Sequence, residues 1–223
     1  MDGATLQARI YAGYGKAAKK IGIAYDQYRP VGIAAPLTNK IATVNMAVNS
    51  GKQYTFNSPN EYGDPTWLAL IDDSTILTGD YLVGNNGGLN TNTYFIAGKQ
   101  FLLPVLAIEC NRNIRINRQA AASGVGAVGY SGSTTANEVA VLGDNTHLWP
   151  ASVLFGGKSQ SGLNLPAGTK MTGWRILLPP SVPGTVVIKP GDMATDDIGR
   201  RYLIDGAELT DLGWRINANE AHS

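Results

Sequence analysis

Hydrophobic and polar positions follow two different periods along the chain. In ATLQARIYAGYGKAAKKIGI, the apolar side chains recur at helical spacing, and the basic side chains fall largely off that stripe. The stripe consists of Leu6, Ile10, Tyr14, Ala17, Ala18 and Ile21. This pattern predicts an amphipathic N-terminal helical arm over residues 1–30. The arm is expected to pack either on its own domain or on a neighbouring subunit.

From Val31 onward the pattern changes to short alternating segments separated by turn residues. KIATVNMAV, TWLALI and TYFIAG are typical of strands, and so are HLWPASVLF, KMTGWRILL and RRYLID further along. Between the two runs, residues 119–136 are rich in Gly, Ala and Ser, which favours a linker. The sequence therefore predicts a mainly β fold with two small β-barrel or sandwich modules, at 31–118 and 137–223.

The two predicted modules repeat one string of residues. A Gly-Asp pair at residues 79–80 precedes Tyr-Phe-Ile at 94–96, and a second pair at residues 191–192 precedes Tyr-Leu-Ile at 202–204. Upstream of each pair lies a strand-like segment that begins with a tryptophan, Trp67 and Trp174. Because the spacings differ, we predict a diverged duplication rather than a fixed-period repeat.

Composition narrows the class of protein further. The chain has 27 Gly and 11 Pro, only 16% charged residues and a formal net charge of +1. Cys110 is the only cysteine, so an intrachain disulfide or a cysteine metal cluster is excluded, and its apolar neighbours favour a core position. With no apolar run long enough to cross a membrane, we expect a soluble protein made in the cytosol.

Three patterns hint at chemistry, and each is incomplete. Gly124, Gly126 and Gly129 have the G-x-G-x-x-G spacing of dinucleotide sites but lack the preceding strand and the following helix. His147 has no nucleophile motif beside it. The carboxylates near Asp196 do not follow the order of a calcium loop. We therefore predict no enzyme activity, cofactor or metal.

Longer strings resemble a known class of proteins. MDGATLQARIYAGYGKAAKKIGIAYDQYRP, GDYLVG…TYFIAGKQFLLPVLAIECNR and GDMATDDIGRRYLIDGAELTDLGWRI look like tailed-bacteriophage virion proteins. The last string is similar to β-barrel head-closure and head-tail-joining proteins, here apparently duplicated. The resemblance implies a structural virion protein in a homo-oligomeric neck ring between portal and tail, assembled in the cytoplasm of the bacterial host.

The resemblance also implies partners and leaves one alternative. The partners are identical subunits, portal or adaptor proteins and tail proteins, with non-specific contact to packaged DNA and no membrane. The single-barrel joining proteins are shorter than this chain. A collar spike or fibre-type surface-binding virion protein is therefore the alternative.

Basic residues cluster in two segments of this nearly neutral chain. They are Arg112, Arg115 and Arg118, and Lys16, Lys19 and Lys20. They are expected to face DNA phosphates in a channel or an acidic surface of an adjoining ring, or else to lie on solvated faces. No base-reading motif accompanies them, so contact with DNA would be independent of sequence.

Overall fold

The chain forms two closed β-barrels preceded by one helix, which confirms the predicted fold class. The computed structural model describes residues 2–49, 63–72, 74–85, 91–119, 138–156, 173–182 and 186–221. Its elements are the helix α1 (Gly3–Ile21) and the strands β1 (Ile23–Tyr28), β2 (Lys40–Asn49), β3 (Thr66–Ile71), β4 (Tyr81–Gly84), β5 (Thr93–Gly98), β6 (Val105–Cys110), β7 (Arg112–Gln119), β8 (Glu138–Leu142), β9 (Trp149–Phe155), β10 (Gly173–Leu178), β11 (Met193–Asp196), β12 (Arg201–Thr210) and β13 (Gly213–Glu220).

Barrel 1 is the closed antiparallel ring β1-β2-β3-β6-β5-β4. Successive side chains along each strand point to opposite faces, so that one set fills the interior of the barrel and the other points outward. The interior set consists of Tyr25, Met46, Ala69, Ile71, Leu82, Tyr94, Ile96, Val105 and Ala107, all buried. Small side chains from β3 and β6 leave room for the tyrosine rings of β1 and β5.

Barrel 2 is the ring β7-β9-β10-β13-β12-β11, which is closed by pairing between β11 and β7. The strand β8 pairs with the end of β7 and extends the sheet outside the ring. Its core contains Ile114, Ile116, Ala151, Ile176, Ala194, Tyr202, Ile204, Ile216 and Ala218.

The two barrels have the same topology and strand register. The strands β1 to β6 correspond in order to β7, β9, β10, β11, β12 and β13. Equivalent residues face each other across the strands: Trp67–Ala107 and Trp174–Ala218, Tyr94–Glu109 and Tyr202–Glu220, Ile96–Ala107 and Ile204–Ala218. The register also shifts at the same place, between Ile96 and Gly98 and between Ile204 and Gly206. The predicted duplication is therefore present in three dimensions.

Two module boundaries differ from those that the sequence suggests. Residues 23–28 were expected in the helical arm but form β1 of barrel 1, and residues 112–118 were expected in the first module but lie in β7 of barrel 2. Along the chain, a single residue, Asn111, connects β6 of barrel 1 to β7 of barrel 2. The segment 119–136 was expected to link the modules, but it falls between β7 and β8 of one sheet. Its glycines 124, 126 and 129 lie outside the described residues.

Helix α1 packs on barrel 1 through a face of small side chains. The Asp2 carboxylate caps it by accepting a hydrogen bond from the Thr5 amide at 2.8 Å. Tyr11, Gly15 and Ala18 are buried, whereas Leu6 and Ile21 of the predicted stripe are exposed. The buried face is thus rotated relative to the predicted stripe because Gly15 lets the helix approach Asp72 closely. Within the described ranges, no helix has the length and apolar character needed to cross a membrane.

Candidate functional site

An apolar contact joins the two barrels. The outer wall of barrel 1 consists of the outward-facing residues Tyr81, Phe95, Ala97, Leu106 and Ile108 of β4, β5 and β6, and it packs into the same core cluster as barrel 2. The ring of Tyr81 lies edge-on to that of Trp149 on β9, with the ring centroids 6.1 Å apart. The two barrels therefore share a core.

Specific hydrogen bonds fix the orientation of the two barrels. The buried Tyr81 hydroxyl donates to the Pro150 carbonyl at 2.8 Å, and burial raises the pKa of Tyr81. The Asn111 side chain bonds both backbone groups of Val153, at 2.7 and 2.8 Å. Ser181 donates to the Gly79 carbonyl at 2.9 Å. Because buried polar groups are costly when unpaired, these bonds favour one docking geometry.

Cys110 packs against this shared core. Burial raises the pKa of its thiol, and the neighbouring Glu109 carboxylate adds to the rise. A thiol held in the protonated form is a poor nucleophile. Its surroundings are those of a small apolar side chain.

Each barrel carries the same ion pair at the Gly-Asp turn, between a buried aspartate and a partly exposed arginine. In barrel 1, the Asp80 carboxylate accepts from Arg29 Nε and Nη2, both at 2.8 Å. It also accepts from the side chain of Gln27 at 2.6 Å and from the backbone amide of Leu77 at 2.8 Å. Gly79 before it has φ +93°, a left-handed conformation that favours glycine.

Barrel 2 repeats this arrangement at Arg118 and Asp192. Arg118 Nε and Nη2 donate to the two Asp192 oxygens at 2.7 and 2.8 Å, and the Lys189 amide donates at 2.8 Å. Gly191 has φ +90°. The Asp192 hydrogen bonds raise the pKa of Arg118, as those of Asp80 raise the pKa of Arg29. We call these two ion pairs the turn clamps.

The structure places three of the six predicted basic residues on β7 of barrel 2 and three on helix α1. Arg118 belongs to a turn clamp, so its bidentate face is already occupied within the chain. Arg115 bonds Asn145 of the loop after β8, and Arg112 contacts the Asn111 carbonyl at 3.4 Å.

The other three basic residues, Lys16, Lys19 and Lys20, are exposed on α1. Lys19 borders an open groove of about 250 Å³ between α1 and β2, whose rim also includes Asp72, Thr43 and Ser74. The groove lining therefore contains both a cation and a carboxylate. This mixed lining selects no single class of ligand.

The remaining predicted polar candidates are bound within turns. Asp144 accepts from the amides of Thr146 and His147 at 2.7 and 2.6 Å and contacts His147 Nδ1 at 3.1 Å. These bonds lower the pKa of Asp144. Asp196 caps its own turn through the Arg200 amide and accepts from the Tyr202 hydroxyl. Among the described residues, no group of three or more His, Cys, Asp or Glu side chains could hold a metal ion.

One aromatic cluster remains accessible on barrel 2. Phe155 is 57% exposed, and its ring lies 5.5 Å from that of Trp174. The Arg200 guanidinium lies over the Trp174 ring, 5.8 Å from its centroid. Exposed aromatic and arginine side chains of this kind are enriched in the energetic centres of protein interfaces. No local sequence pattern marks this cluster, because its members come from three separate strands and turns.

Comparison of the chain with protein-family models, with curated proteins and with solved structures finds no match.

Proposed function

We propose that this chain is a structural subunit of a tailed-phage virion, forming or joining the homo-oligomeric neck ring between portal and tail. The observation that carries the proposal is the duplicated barrel with its turn clamps. Two of the strings that resemble tailed-phage virion proteins contain these turns and the hairpins that follow them, and the second of the two is the one similar to head-closure proteins. Their agreement in register between the two barrels supports one ancestral joining module that was duplicated.

A neck ring requires subunits that keep their shape under load. The two barrels share a core and are joined by one residue, so they are expected to move as one body. In closed rotational symmetry, one interface repeated around the axis stabilises the whole assembly. Phe155, Trp174 and Arg200 supply the composition that such an interface uses.

The first experiment measures assembly. We expect the purified chain to form a ring of defined size, either alone or on addition of portal or tail rings, when examined by light scattering and electron microscopy. A Phe155→Ser variant should weaken assembly, whereas Val31→Ser should not, because Val31, although 76% exposed, lies outside the cluster of Phe155, Trp174 and Arg200. A chain that stays monomeric at high concentration and joins neither ring would contradict the proposal.

The basic residues would contact packaged DNA without reading its sequence. Arg112, Arg115 and the three lysines of α1 remain for this role, since Arg118 is engaged by Asp192. Binding of duplex DNA should weaken with salt and should not depend on sequence. Charge reversal at Lys16, Lys19 and Lys20 or at Arg112 and Arg115 identifies which group faces DNA. Unchanged binding in both variants would remove DNA contact from the proposal.

The second candidate function is a collar spike or fibre-type protein that binds a host surface. The accessible ring of Phe155 beside Trp174 favours it, because exposed aromatic rings stack on sugars. Binding to cell-surface glycans that is lost in Phe155→Ser, together with trimeric assembly, would support this alternative. A ring that encloses a channel would exclude it.

A further inference from the structure

Both barrels are covered at the same end, but by different partners. The hairpin end of a barrel is defined here by the loop after its third ring strand (after β3 or β10) and by its last hairpin loop (β5–β6 or β12–β13). In barrel 2, Ser181 of the first loop bonds Gly79 of barrel 1, and Leu212 of the second lies against Gly98. Val182 of the first loop also shares a core cluster with the wall residues Tyr81 and Phe95, so the hairpin end of barrel 2 is seated against the outer wall of barrel 1.

In barrel 1 the hairpin end is covered by α1. The Tyr11 hydroxyl donates to the Gln100 carbonyl at 2.9 Å, and the Gln7 side chain accepts from the Leu102 amide at 2.8 Å. Gly15 is packed against Asp72, which directly follows β3. The helix thus contacts the two loops whose counterparts in barrel 2 contact the wall.

The chain order repeats this relation. Gly22 joins α1 to β1, and the equivalent residue Asn111 joins β6 of the wall to β7. The helix therefore precedes barrel 1 in the same way that barrel 1 precedes barrel 2. Both in sequence and in space, α1 stands where a preceding barrel would stand.

The wall of barrel 2 has apolar Met193 and Leu203 where barrel 1 has Tyr81 and Phe95, but its other three positions differ in chemistry. By the strand register, Ala97 of barrel 1 is equivalent to Asp205 of barrel 2, Leu106 to Asn217, and Ile108 to Asn219. The Asn219 side chain donates to the Asp205 carboxylate. Nearby, Asn117 donates to Glu138 of β8 at 2.8 Å. A barrel end docked on this wall would bury these polar groups, which is costly without new partners.

We infer that both barrel-docking surfaces of this tandem are closed to a further barrel, so that subunits do not stack with the end of one on the wall of another. Helix α1 fills the docking surface of a preceding barrel, and the polar wall of β12 and β13 rejects a following one. An end-to-wall contact joins unlike surfaces, and its repetition gives open filaments unless the rotation closes into a ring. Lateral surfaces therefore remain for any closed ring. The inference holds whether or not the protein belongs to a virion neck.

The test makes the wall of barrel 2 apolar by substitution. Independently, it either removes helix α1 or locks it onto barrel 1. The wall variant is D205A/N217L/N219I, with residues approximating those of barrel 1. Helix release is achieved by deletion of residues 2–21. Helix locking is achieved by G15C/D72C, because a Cβ built at Gly15 lies 3.1 Å from Asp72 Cβ. A disulfide needs about 3.5–4.5 Å between the two Cβ atoms, so a small shift suffices. Circular dichroism checks that each variant is folded.

We expect the wall variant without the helix to grow in mass continuously with concentration in sedimentation and light scattering. The wall variant with an oxidised lock should keep the wild-type assembly state, and deletion of the helix alone should not produce open growth. If the combined variant loses its β-sheet signal, Asn219→Ile in the helix-deleted chain replaces it. A folded helix-deleted wall variant that does not grow would overturn the inference. So would equal growth with the helix locked, since that would indicate non-specific association.

Discussion

At the scale of single residues, the turn clamps explain why Gly-Asp recurs in this chain. Asp80 and Asp192 are each 1% exposed, so each carboxylate needs several donors to offset its lost hydration. An arginine at the end of the first ring strand supplies two of them in a planar fork, and the amide three residues upstream supplies a third. The clamp therefore ties β1 to β4 in barrel 1 and β7 to β11 in barrel 2, and in this way it helps to close each barrel.

Replacement of Asp80 by Asn should weaken barrel 1 strongly for so small a change. The variant removes the charge that accepts from Arg29, Gln27 and Leu77. We expect a loss of roughly 1.5–3 kcal/mol in the free energy of unfolding, the range for hydrogen bonds to charged groups. Chemical denaturation measures it, with Asp211→Asn in an exposed turn as the matched control. Equal midpoints for both variants would show that the clamp contributes nothing.

Buried tyrosines should make the fold sensitive to alkali. Burial, together with the hydrogen bond to the Asp196 carboxylate, raises the pKa of Tyr202 to about 12. In the unfolded chain a tyrosine ionises near pH 10. Between about pH 10 and 12 the unfolded state therefore releases a proton that the folded state retains, so stability is full below this window and falls within it.

Unfolding at increasing pH, followed by tyrosinate absorbance, measures this effect. Tyr81 and Tyr94, whose pKa values burial also raises, should ionise only as the protein unfolds. Tyr202→Phe should be less stable at neutral pH and should lose less stability across the window. A wild-type protein whose stability is constant between pH 10 and 12 would contradict the assignment.

At the scale of elements, local patterns predicted the types of element better than their partners. The period of residues 4–21 predicts α1, and the tryptophan-led segments predict β3 and β10. The buried face of α1 was missed because a glycine carries no hydrophobic signal, although Gly15 is what allows close packing on Asp72. Arg29 was missed as well, since its partner Asp80 lies 51 residues away.

Two helix glycines should respond differently to alanine. A Cβ at Gly13 meets no atom within 4 Å, so Gly13→Ala should stabilise the protein by about 0.5–1 kcal/mol through helix propensity alone. A Cβ at Gly15 would lie 3.2 Å from the Asp72 backbone, so the same gain is offset by displacement of the helix. Thermal and chemical denaturation should therefore place Gly15→Ala below Gly13→Ala in stability. The reverse order would show that α1 does not rest on Asp72.

At the scale of the whole molecule, composition misplaced the division between the modules. The Gly- and Ser-rich stretch at residues 119–136 suggested the boundary. The chain instead passes from one barrel to the other at Asn111, between the apolar strand β6 and the basic strand β7. Sequence pattern does not mark such a boundary, because a linker of one residue has no composition of its own. The duplication could be predicted, since Trp, Gly-Asp and Tyr recur in order. The contact between wall and end could not, because its residues are typical of any buried strand.

The shared core predicts that both barrels unfold together. Ile108 lies in the wall of barrel 1, and its equivalent in barrel 2 is Asn219. Ile108→Asn would bury an amide in the core cluster that also contains Trp149. We expect it to lower the free energy of unfolding by roughly 3 kcal/mol or more, through lost apolar contact and an unpaired polar group.

We therefore expect one calorimetric transition for the wild-type chain and two for Ile108→Asn, because the variant weakens the contact that couples the barrels. Trp67 reports barrel 1, and the tryptophans at 149, 174 and 214 report barrel 2. Variants that keep only Trp67 or only Trp174 should show coincident transitions in the wild-type background and separate transitions with Ile108→Asn. Asn219→Ile is the control, since it changes the equivalent wall of barrel 2, on which no other barrel is docked. Separate transitions already in the wild-type background would mean that the barrels are independent domains in spite of their common core.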